Sequence, residues 1–79
     1  MNNSCDQVAS AIGSALEQYF LDLDGEAPCA LYDMVLARAE KPLLVAVLAR
    51  VEGNQTKAAD MLGINRNTLR KKLQIYGLL

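Results

Sequence analysis

Seven consecutive residues, Leu43-Leu44-Val45-Ala46-Val47-Leu48-Ala49, are apolar, so a helix formed from them is apolar on every face. Such a helix must be covered all round. The chain has only 79 residues, a length at which a single hydrophobic core is barely sufficient for folding. One antiparallel neighbour cannot surround the run, and the short basic helices that follow it are too small to do so alone. The simplest cover is a second copy of the chain, in a symmetric dimer with an intertwined core.

At 52% hydrophobic residues, the chain is not a disordered tail. Its richness in Ala and Leu, with two prolines and five glycines, favours helices. The expected fold is all-α, one domain spanning 1–79. A dimerising helical hairpin (about 4–52) precedes a C-terminal helix-turn-helix (53–79). The apolar run is far too short to cross a bilayer. The polar first ten residues lack the pattern of a signal peptide, so a soluble cytoplasmic protein is expected. With no histidine, Cys5 and Cys29 cannot complete a four-ligand zinc site. If they open two successive antiparallel helices they lie roughly 25 Å apart, well beyond the span of about 7 Å that a disulfide bridges. Free thiols in a reducing compartment are expected. No histidine, no paired buried carboxylates and no glycine-rich phosphate cradle are present, which argues against an enzyme, a cofactor or a small-molecule substrate.

Periodicity divides the chain into four helices. The first begins near Ser4, which forms a capping-box pattern with Gln7. Val8, Ile12, Ala15, Leu16, Tyr19, Phe20 and Leu23 form its apolar stripe, and Asp24-Gly25 ends it. Pro28 suits the first turn of the second helix, which is expected to run to Val51, roughly 35 Å. Pro42 removes the hydrogen bond to the carbonyl of Arg38, so a kink is expected near residues 38–42. No glycine or other turn residue accompanies it, which favours one kinked helix over two. Glu52-Gly53-Asn54 closes that helix, and Asn54 caps a third ending at Leu62. Gly63-Ile64-Asn65 forms the turn, and Asn65 caps a fourth helix from Arg66 to Tyr76, ended by Gly77.

Charge is distributed unevenly. Residues 1–52 carry three bases against eight acids, a net of −5, whereas residues 53–79 carry five bases against Asp60 alone, a net of +4. Such asymmetry separates a body from a polyanion-binding end. A short helix, a glycine turn and a second helix follow the helix-turn-helix plan, with Ala58 and Ala59 small where the helices approach. Leu62, Ile64, Leu69 and Leu73 form the wedge that sets their crossing. Arg66, Arg70, Lys71 and Lys72 stand on about two turns with no carboxylate among them, which is reasonable for a helix facing a polyanion. Asn65 and Arg66 lie at the end that recognition helices push into the major groove, where Arg bonds guanine and Asn bonds base edges. Thr68, Arg70, Lys71 and Lys72 are placed for phosphates. Asn54, Thr56 and Lys57 are placed for the flanking backbone.

The stretch Gly53-Asn54-Gln55-Thr56-Lys57-Ala58-Ala59, with Leu62-Gly63-Ile64-Asn65-Arg66, Thr68-Leu69-Arg70-Lys71-Lys72-Leu73 and Tyr76-Gly77, strongly resembles the Fis (factor for inversion stimulation) family. The resemblance continues upstream through Ala15-Leu16, Tyr19-Phe20, Leu31-Tyr32, Val35-Leu36 and Pro42-Leu43-Leu44, covering about residues 10–79. It implies a homodimer of four-helix subunits with the first two helices of each interlocked. It also implies recognition helices closer together than one turn of DNA, so that bound DNA bends. By the same resemblance Asn65 and Arg66 contact bases, while Asn54, Thr56, Lys57, Thr68, Arg70, Lys71 and Lys72 contact phosphates or flank the groove. Asn67, where the family often has Gly, belongs to the same DNA-facing set. Gln74-Ile75 replace a basic pair, and Glu52 lies where a basic residue can occur. The mobile β-hairpin arm with which Fis activates recombinases is not expected here. The function so implied is that of a DNA-bending transcriptional regulator or nucleoid-associated protein. Two alternatives are a detached output domain of a sigma-54-dependent (NtrC-like) activator and a helical protein-interaction module without a DNA function.

Overall fold

The computed structural model describes residues 4–79, with side chains from Asp6 onward. Four helices succeed one another: α1 (Ser4–Leu23), α2 (Leu31–Arg50), α3 (Gln55–Leu62) and α4 (Arg66–Ile75). The described residues contain no strand, and none of their helices is long and apolar enough to cross a membrane. The chain divides into two compact units, one ending at Leu31 and the other spanning Tyr32–Leu79.

In the first unit, α1 carries the expected apolar stripe. Leu16, Tyr19 and Leu23 are half-buried, and the Tyr19 and Phe20 rings meet edge to face at 5.9 Å. Val8 and Phe20 remain exposed. The helix stops where Asp24 and Gly25 both turn left-handed, at φ 51° and 87°. The expected Ser4 cap and the Cys5 thiol involve side chains outside the described residues, whereas Cys29 is a free, exposed thiol.

The start of α2 differs from expectation. Pro28 does not occupy its first turn, because Ala30 at φ 51° interrupts the right-handed backbone and helix begins only at Leu31. Once begun, α2 continues unbroken through Pro42 to Arg50. One missing hydrogen bond does not divide it in two. Its end is a left-handed cap in which the Gly53 amide donates to the Leu48 carbonyl at 2.9 Å and the Glu52 amide to that of Ala49 at 3.3 Å. The left-handed position that glycine usually fills is taken by Glu52, at φ 54°.

In the second unit α2, α3 and α4 share one core. Leu44 of α2, Ala58 and Ala59 of α3, and Leu69 and Leu73 of α4 are buried, ringed by Val47, Leu48, Val51, Leu62, Ile64, Tyr76 and Leu78. The two alanines let α3 approach its neighbours closely. The apolar run of α2 is therefore covered on one side only: Leu44 is buried and Val47 and Leu48 partly so, while Leu43 and Val45 are 50% and 46% exposed. No separate boundary divides α2 from the helix-turn-helix, since Leu44 belongs to the core of both.

Candidate nucleic-acid interface

The site begins with two asparagine caps. Asn54 Oδ1 accepts from the Lys57 amide at 3.1 Å, and Asn65 Oδ1 accepts from the Asn67 amide at 2.7 Å. Each cap satisfies one of the orphan N–H groups that open a helix. The cap uses one of the two lone pairs of the asparagine's oxygen and leaves its NH2 group free to donate. A bidentate grip on adenine needs both ends of the amide, and in this conformation the oxygen of Asn65 is shared with the cap while its NH2 group is the free end.

Between the caps, Gly63 turns left-handed at φ 73°. The Ile64 amide reaches back to the Ala59 carbonyl at 3.1 Å, closing the last turn of α3. An added Cβ at Gly63 would meet nothing within 4 Å, so the backbone angle, and not space, requires glycine here. The expected fourth helix to Tyr76 ends one residue earlier, at Ile75. Tyr76 closes it, with Gly77 left-handed at φ 69° and the Leu78 amide bonded to the Leu73 carbonyl at 2.8 Å.

Leu69 and Leu73 have no exposed surface and define the inward side of α4. At about 100° per residue, Lys71 points directly away from them and Asn67 nearly so. Arg66 and Arg70 form one row along a flank. Thr68 and Lys72 form a row along the other, with Lys72 about 160° around the axis from Arg70. Arg66, Asn67, Thr68, Arg70 and Lys71 are exposed, as are Asn54, Thr56, Lys57 and Asn65.

Lys72 is placed differently. Its Nζ lies 2.8 Å from Oε2 of Glu40 on α2, and it is the one ion-paired cation among the described residues. The other oxygen of Glu40 accepts from the Tyr76 hydroxyl at 2.6 Å. Chiefly through the Lys72 hydrogen bond, and then through that of Tyr76, the Glu40 carboxyl is held below its ordinary range. The Tyr76 phenol is pushed up, first by its bond to that carboxylate. The four bases expected on one open face of α4 are thus three open cations and one paired lysine.

Arg50, Val51, Glu52, Asn54 and Lys57 line an open hollow between the end of α2 and the start of α3. Arg50 escapes a sequence reading that assigns it to the acidic body, although it stands only four residues before the Asn54 cap. Glu40 and Tyr76 escape it too, because their pairing spans 36 residues.

Two short helices crossing over a core of paired alanines and leucines, with a glycine turn and an open cationic second helix, make this a helix-turn-helix protein. The family model described as bacterial regulatory protein, Fis family, matches residues 35–76. A protein of Neisseria meningitidis serogroup A described as Fis-like and DNA-binding is 56% identical over 79 residues, all of both chains. A Ralstonia nicotianae protein of the same description is 54% identical over 76 residues, 96% of this chain and 99% of its own. The DNA-binding protein Fis of Proteus mirabilis is 49% identical over 96% of this chain and 83% of its own. The chain belongs to the Fis family.

Proposed function

We propose that this protein binds double-stranded DNA as a homodimer and bends it, acting in the cytoplasm as a transcriptional regulator or nucleoid-associated protein. The observation that carries the reading is the exposed face of α4, where Arg66, Arg70 and Lys71 stand without a carboxylate partner. In water such a face is self-repelling, and phosphate is the partner that relieves it. Arg66, at the N-terminal end of α4, reads bases, assisted by donation from Asn65. Arg70, Lys71, Asn67 and Thr68 hold phosphates beside the groove. Asn54, Thr56 and Lys57 hold the flanking backbone, joined by Arg50, which offsets the acid at Glu52 in the same hollow. The dimer is supported by the two flanks of α2 left bare, Leu36 and Leu43 exposed on one and Val45 on the other, about 160° around the axis. Relatives described as Fis-like or Fis DNA-binding proteins favour a Fis-type regulator over the alternative readings.

Fluorescence-anisotropy titrations on a preferred and a random duplex test this reading. Arg66→Ala removes a base contact, so it should cost about 1–3 kcal/mol on the preferred site and much less on random DNA. Lys71→Ala removes a phosphate contact from each subunit. It should weaken both duplexes alike and flatten log K against log salt by about 2. Equal losses for Arg66→Ala on the two duplexes would remove base reading from that residue. Wild-type protein without salt-sensitive binding would sink the proposal.

A further inference from the structure

Glu40 sits on α2, far in sequence from α4, yet its carboxylate ties α2 to α4 through two residues. Oε1 takes the Tyr76 hydroxyl at 2.6 Å and Oε2 takes the Lys72 ammonium at 2.8 Å. Glu40, Lys72 and Tyr76 are each half-buried, in contrast to the exposed Arg66, Arg70 and Lys71. We propose that Glu40 is a positioning residue for DNA binding: it holds Lys72 out of the set of phosphate contacts and anchors the C-terminal turn of α4. This rests on the DNA reading above.

A lysine neutralised by a carboxylate within 3 Å adds no net charge to the binding face, and it releases few counterions from DNA unless the pair breaks. Breaking it would leave Glu40 facing a polyanion and strip the Tyr76 hydroxyl's acceptor of its second partner. Direction adds to this, since Lys72 projects from the flank opposite Arg70, toward α2. The adjacent lysines therefore have different functions. Lys71 supplies salt-sensitive attraction. Lys72 fixes the angle at which α4 presents Arg66 and Lys71.

The test measures binding to one duplex by anisotropy across 50–200 mM salt for wild type and for Lys71→Ala, Lys72→Met, Glu40→Gln and the Glu40→Gln/Lys72→Met double variant. Glutamine keeps an acceptor for Tyr76 and methionine keeps the lysine's stem, and circular dichroism checks that each variant is folded. Lys71→Ala should flatten the salt slope by about 2 per dimer. Lys72→Met should leave the slope as in wild type. Glu40→Gln frees two lysines per dimer and should steepen it by about 2, an additional loss of about tenfold in affinity across that salt range. The double variant should return to the wild-type slope. A Lys72→Met slope as flat as that of Lys71→Ala, or a Glu40→Gln slope equal to wild type, overturns the inference and leaves the DNA reading standing. Failure of wild type to bind duplex overturns both.

Discussion

Among the described residues, Glu40 is the one side chain that joins two others at once, linking α2 to Lys72 and Tyr76. The perturbations of its partners give a pH prediction. The Glu40 carboxyl is depressed, mainly by Lys72, from an ordinary value of 4.5. Its contribution is therefore present above that value and is lost as pH falls through the lower folded value. The Tyr76 phenol is raised, mainly by Glu40, from an ordinary 10.0. Its contribution is present below that value and is lost as pH rises through the higher folded value. Thermal melts of wild type and Glu40→Gln should differ by a constant amount near neutrality, and the gap should shrink at both the acid and alkaline ends. A gap independent of pH would contradict this coupling. None of it is legible in the sequence, where nothing near Lys72 announces a partner 32 residues away. The caps are legible, because Asn54 and Asn65 act on amides three and two residues on, respectively, and a short sequence window contains both halves of each interaction.

At the scale of elements, local chemistry fixes the helix ends well where glycine or asparagine acts and poorly elsewhere. Gly63 and Gly77 stand where expected, left-handed and past the end of their helices. The start of α2 is misjudged because Pro28 is a good first-turn residue in isolation, whereas Ala30 adopts a left-handed angle that its side chain does not favour. Glu52 is a similar case, left-handed at φ 54° although Gly53 is adjacent. A non-glycine residue there costs about 1–2 kcal/mol, part of which glycine would return as lost backbone entropy. Glu52→Gly should raise stability by up to about 1 kcal/mol in denaturant melts. Removal of its charge from the hollow shared with Arg50 and Lys57 should also tighten duplex binding. Lower stability in that variant would mean that the Glu52 side chain has a role the cap geometry does not reveal.

For the whole molecule, the run Leu43–Ala49 is the feature read earliest, and the fold divides it between two tasks. Leu44, with Val47 and Leu48, closes the three-helix core, so the C-terminal helices cover more of α2 than their length suggests. Leu43 and Val45 remain bare on opposite flanks of α2, the surfaces assigned to a second copy. Substitutions should separate the two sides. Leu44→Asp buries an unpaired charge in the core and should prevent folding. Val45→Asp should act through association, making the melting temperature lower and more dependent on protein concentration. Val45→Asp with wild-type melting at every concentration would remove the Val45 flank from the interface.

Dimerisation and DNA binding meet in one quantity, the number of chains on a duplex. Sedimentation equilibrium with a duplex of about 25–30 base pairs, long enough for two half-sites one helical turn apart, measures it directly. The expected complex holds two chains per duplex throughout the titration, without a populated one-chain species, and dissociates as salt is raised. A one-chain complex, or free duplex at moderate salt in the presence of excess protein, would contradict the account.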